Sequence, residues 1–88
     1  MNNKQIKELA KLITSITDAS VAEDFLHNIL TPQELEEVAL RLQIFKLLLD
    51  DMSQRDIASK LGVSIGTISR GSRELKYGKP GISNVLKK

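Results

Sequence analysis

Few side chains in this sequence could carry out bond-making chemistry. There is no cysteine and a single histidine, His27. Thiol nucleophiles, disulfides and cysteine zinc sites are therefore excluded, and a histidine-based metal site has too few ligands. Glu34, Glu36 and Glu37 lie close together, but they follow Pro32 in what reads as the first turns of a helix. Acids there suit the positive end of the helix dipole better than a general acid–base pair. With no paired histidine and acid and no glycine-rich phosphate loop, the sequence points away from an enzyme. His27 reads as a surface or packing residue. The basic side chains are segregated: residues 41–88 carry ten Lys and Arg against four acids, and residues 1–40 carry three lysines against seven. The two stretches have net charges of +6 and −4. Segregated positive charge is the footprint of a polyanion-binding protein, and a merely solvated basic face has the same composition.

The segment that would use this charge is residues 54–76, which meets the demands of a helix-turn-helix. Ala58 is small where the first helix must let the second approach. Gly62 stands where the chain turns sharply and needs a positive φ. Ile57, Leu61, Val63 and Ile68 are apolar at the inward positions, and Ser53 and Ser64 can cap the two helices. Ile65, Gly66, Thr67 and Ser69 are left outward on the second helix, close to the capping Ser64. Such small or hydroxylated side chains can enter a major groove and touch thymine methyl groups. Arg70, Arg73 and Lys76 lie further along and suit phosphates, while Arg55 can reach a phosphate or a guanine edge.

Other elements must hold that reading head. Apolar residues recur at helical spacing almost throughout and period-2 alternation is never sustained, which predicts an all-α fold of five to six short helices. Ile6, Leu9, Ala10, Ile13 and Ile16 predict a helix over 3–17, and Ala22, Phe25, Leu26 and Ile29 another over 20–29, with Asp18 or Ser20 as its cap. Thr31, Pro32 and Glu34 form a capping-box start for a third helix reaching about Asp50. From Val38 to Leu49 that helix is apolar nearly all round, so a second subunit is expected to cover it. Helices over 53–61 and 64–77 follow, then a loop at 78–81 and a tail able to hold one or two helical turns. A single domain spans 1–88: a helical dimerisation core over 1–50, the reading head over 53–77 and a short tail over 78–88. With no apolar signal-peptide region and no run long enough to span a membrane, a cytoplasmic location is expected.

The run from Leu30 to Lys76 resembles the Trp repressor family. The carriers are Leu30-Thr31-Pro32, Arg41, Met52-Ser53-Gln54-Arg55, Leu61-Gly62, Thr67-Ile68-Ser69-Arg70-Gly71-Ser72 and Leu75-Lys76. The resemblance implies an intertwined homodimer that binds operator DNA, with L-tryptophan as candidate corepressor fixing two recognition helices roughly 34–36 Å apart, a spacing for which this family is itself a reference case. It implies ligand-binding roles for Thr31, Arg41, Arg70, Gly71 and Glu74. Arg41 and Arg70 would sandwich the indole ring, Arg70 and Thr31 would hold the carboxylate, and Gly71 would leave room at the wall. Carbonyls around Asn28 and Leu30 would accept from the ammonium. Guanidinium groups suit both tasks because they are flat, stack on rings and fork onto carboxylates. Each residue also has a plainer reading: Thr31 as a helix cap, Arg41 as a partner of Glu37, Arg70 as a phosphate contact.

This chain departs from the tryptophan-binding members in three places. Glu74 stands where they carry a serine; it would pair with the ligand's ammonium, or fill the pocket by pairing with Arg70. One residue is missing at Asp50-Asp51, ahead of the reading head. Arg73 and Tyr77-Gly78 look more like the branch of the family whose ligand and operator are uncharacterised. A Trp-repressor-like regulator with a different effector or none therefore stands beside the tryptophan-gated repressor. A protein-interaction adaptor built on a helix-turn-helix is the reading from a different class.

Overall fold

Among the described residues six helices form, and at the starts of the first five, side chains take up backbone N–H groups that the helix itself leaves free. The computed structural model describes residues 2–86, with no strand among them. Helix α1 (Asn3–Ile13) is capped by Asn2, whose Oδ1 accepts from the N–H groups of Lys4 and Gln5 at 2.9 and 3.3 Å. It stops at Ile13, short of the residue 17 that its apolar stripe predicts. The Thr14 and Ser15 hydroxyls donate to the carbonyls of Lys11 and Leu12 at 2.7 and 2.6 Å. The N–H groups of Ser15 and Ile16 bond three residues back. Local hydroxyl bonding has overridden the periodicity. Asp18 caps α2 (Ala19–Ile29), accepting from Ser20 and Val21.

Helix α3 (Pro32–Leu49) starts on the predicted capping box. The Glu34 N–H donates to Thr31 Oγ1 at 3.1 Å and the Thr31 N–H to Glu34 Oε1 at 2.9 Å. These bonds, the backbone one foremost, hold the Glu34 carboxyl below its ordinary pKa of 4.5. At the other end the N–H groups of Met52 and Asp51 reach the carbonyls of Leu47 and Leu48. Asp51 sits there in the left-handed region at φ 63°. This is a Schellman arrangement with an aspartate where glycine is usual. Helices α4 (Gln54–Leu61) and α5 (Ile65–Tyr77) follow, and α6 (Gly81–Leu86) closes the described chain. Gly81, expected in the loop, opens α6.

The chain divides into two compact units, residues 1–35 and 36–88. The boundary falls inside α3. In the first unit no described side chain is buried, and Ile6, Leu9, Leu12, Ile13, Val21, Leu26 and Ile29 are all exposed. The second unit has its own core: Ile44 of α3 clusters with Ile57 and Ala58 of α4 and Ile68 of α5. Ile57 and Ile68 are wholly removed from solvent, each contributing roughly 1.5–3 kcal/mol of hydrophobic free energy. Leu40, Leu47, Leu48, Met52, Leu61 and Val63 pack around them. The C-terminal half of α3 thus supplies the base on which α4 and α5 pack.

Candidate nucleic-acid interface and effector cleft

The helix-turn-helix forms as its residue types require. Gly62 ends α4 at φ 67° with open space around its Cα, so backbone conformation alone selects glycine there. The N–H groups of Gly62 and Val63 both reach the Ala58 carbonyl. Ser53 Oγ accepts from the Asp56 N–H and Ser64 Oγ from the Thr67 N–H, each at 3.1 Å. Inward residues Ile57, Ala58 and Ile68 are buried, and Leu61 and Val63 half-buried.

At 100° per residue, α5 presents distinct faces. Ile68, Ser72 and Leu75 turn toward the core. Gly66, Arg70, Arg73 and Tyr77 share the opposite arc, and all four are exposed. Ser64 and Lys76 are exposed too, as is Arg55 on α4. Ile65 is 49% exposed, a large apolar side chain left in water close to the α5 N-terminus. Two residues expected outward are not fully so. Thr67 is half-buried, with its Oγ1 2.9 Å from Ser64 Oγ. Ser69 is half-buried and donates its hydroxyl to Gln54 Oε1 at 2.8 Å. The physical reason is angular: both lie nearly a right angle from the outward arc, on flanks that face α3 and α4.

Behind the reading helix lies a cleft of about 580 Å³ lined by residues of α3 and α5, a size usual for small-molecule sites. Leu40, Ile44 and Phe45 give it an apolar wall, and Arg41, Arg70, Glu37 and Glu74 give it charge. Arg41 and Arg70, far apart in sequence, are brought to one cavity. Gly71 lines it as well, and a Cβ there would come within 3.1 Å of Ile44 Cγ2. The missing side chain is what lets α5 close on α3. The Glu74 carboxylate does not turn back to Arg70. It runs along the helix to Gly78, and its Oε2 occupies the space a Cβ at 78 would need. The cleft therefore stays open between the two arginines. Thr31 belongs to the first unit, where its hydroxyl serves as helix cap.

Two residues of the site have no role in the sequence pattern: Gln54, which pairs with Ser69, and Phe45, which walls the cleft. The signal for Phe45 was its position one turn beyond Arg41 on the same helix face. For Gln54 no signal existed, because its partner is fifteen residues away. Among the described residues no cluster of three or more His, Asp or Glu could hold a metal ion, and no helix is long and apolar enough to cross a membrane.

A family model described as Trp repressor protein matches residues 4–88. The chain is 42% identical over 71 residues to the Trp operon repressor homolog of Vibrio parahaemolyticus, covering 80% of this chain and 69% of that protein. It is 34% identical over 87 residues to the Trp operon repressor homolog of Haemophilus influenzae, covering 98% and 86%. A solved structure of a TrpR like protein from Eubacterium eligens superposes with a TM-score of 0.87 at 32% identity, over 98% of this chain and 89% of that one.

Proposed function

Because this chain belongs to the Trp repressor family, we propose that it is a DNA-binding transcriptional repressor that grips its operator as a homodimer and is gated by a small aromatic amino acid. The observation that carries this reading is the position of the cleft. It opens directly behind α5, between Arg41 and Arg70, so a ligand seated there bears on the angle at which α5 meets DNA. Arg55, Ile65, Gly66, Arg73 and Lys76 are the exposed contacts on the reading head. A second copy would cover the exposed stripes of α1 and α2 in the first unit and, in the second, the exposed Val38, Leu42 and Leu49 of α3.

L-Tryptophan is the leading ligand. Its ring would lie between the two guanidinium planes, with its carboxylate on Arg70. A ligand can shift the head only by binding the DNA-competent arrangement better than the alternative. Titration calorimetry with L-tryptophan on the wild type and on Arg41→Ala tests this. Saturable heat that disappears in the variant is the expected result. Absence of heat with the wild type would remove tryptophan and leave a repressor with another effector or none. DNA affinity is expected to fall steeply with salt, because the counterions that binding releases gain less entropy in concentrated salt; salt-insensitive binding to a protein partner would instead favour the adaptor.

A further inference from the structure

Arg70 and Glu74 stand one turn apart on α5, the spacing at which opposite charges on a helix pair. The Glu74 carboxylate turns the other way, toward Gly78. The backbone of Gly78, at φ −83° and ψ −171°, is extended and open to any residue, so no dihedral demand calls for glycine. The demand is for space. A Cβ at 78 would overlap the Glu74 carboxylate and stand 2.6 Å from the Glu74 carbonyl oxygen, which accepts from the Gly78 N–H at 2.8 Å. Glu74 and Gly78 border a second, smaller cavity of about 290 Å³, together with Arg70, Arg73 and Tyr77. Arg70 and Glu74 also line the cleft between α3 and α5, so the two cavities adjoin at these two side chains. A carboxylate driven from Gly78 would have one opposite charge a turn away along α5, Arg70; Gly71 and Tyr77 are the other neighbours at that reach. There it would neutralise the guanidinium on which an acidic ligand depends.

We propose that Gly78 is a specificity-determining residue of the cleft. By giving the Glu74 carboxylate a place away from Arg70, it leaves that guanidinium to a ligand that brings its own carboxylate. Glu74 is the side chain that would turn acidic ligands away, and Gly78 holds it off. The inference deepens the effector function proposed above and rests on it.

The test uses the full chain and two readouts. Gly78 is exposed beyond the last turn of α5, so Gly78→Ala is expected to fold. The first readout, without ligand, is the Arg70 Nε–H resonance in NMR spectra. Glu74→Gln should leave it in place in the wild type and shift it in Gly78→Ala, where the carboxylate has moved to Arg70. An equal shift in both backgrounds, or in neither, would overturn the proposal. The second readout is titration calorimetry with L-tryptophan. Gly78→Ala should bind about three-fold or more weakly, and Gly78→Ala with Glu74→Gln should regain most of the loss. A loss that Glu74→Gln does not restore would assign it to the crowded Glu74 carbonyl and overturn the proposal. Absence of binding by the wild type would instead overturn the ligand proposed above, and the resonances alone would then decide for or against Gly78.

Discussion

Residues 2–35 set their apolar side chains in stripes along α1 and α2 that the chain leaves open, whereas residues 36–86 close a core. Leu12 and Ile13 are 51% and 50% exposed, while Ile57 and Ile68 are at zero. Helix formation does not separate the two regions, since both are built of helices with side-chain caps. The difference is that α3, α4 and α5 meet at one point, through Gly71 and Ala58, whereas no side chain of α1 or α2 is fully buried. Capping bonds of about 1 kcal/mol each cannot hold two eleven-residue helices. The first unit thus lacks a surface to pack on, and in the proposed homodimer a second copy of the same stripes would supply it.

The largest expected effect falls in the closed core. Ile68→Ala should cost about 2–5 kcal/mol in urea unfolding, because the vacated space lies among buried neighbours; a cost below about 1 kcal/mol would mean that the core is not continuous. Next comes the open region. Leu12→Asp should leave the reading head folded but weaken self-association at least about ten-fold, seen by sedimentation as dissociation at dilution. An unchanged dimer would show that the α1 stripe faces solvent in the assembly.

Smaller effects sharpen the boundary between the regions. Asp51→Gly should stabilise the α3–α4 junction by about 0.5–1 kcal/mol, because a left-handed φ of 63° costs aspartate more than glycine; destabilisation would mean that the aspartate side chain holds the turn. The smallest concerns Glu34. Its carboxyl is held below 4.5 in the folded chain, so the capping-box contribution is present above that pH and is lost as pH falls through the depressed value. Glu34→Gln should remove this part of the acid sensitivity in pH-dependent melting. An identical acid limb in the variant would assign it to other carboxylates.

The capping residues were legible because a cap acts over three residues: Asn2 aside, Asp18, Thr31, Ser53 and Ser64 all lie where sequence signals place helix starts. Gly62 was legible for the same reason, since a positive φ is a local demand. The end of α1 was not, because Thr14 and Ser15 turn their hydroxyls back on the helix while Ile16 keeps the apolar rhythm going. Arg41 and Arg70 were singled out through resemblance; their periodicity alone left each a surface residue.

The sequence by itself determined an all-helical chain with a reading head at 54–76, because helix propensity, capping and the left-handed turn are settled within a few residues. Tertiary structure decided the rest. It brought Arg41 to Arg70 across a cleft, sent the Glu74 carboxylate to Gly78, and turned Ser69 toward Gln54. Those choices depend on how closely α5 approaches α3 and α4, and that distance is set by Gly71 and Ala58 acting on partners well outside any local window of sequence.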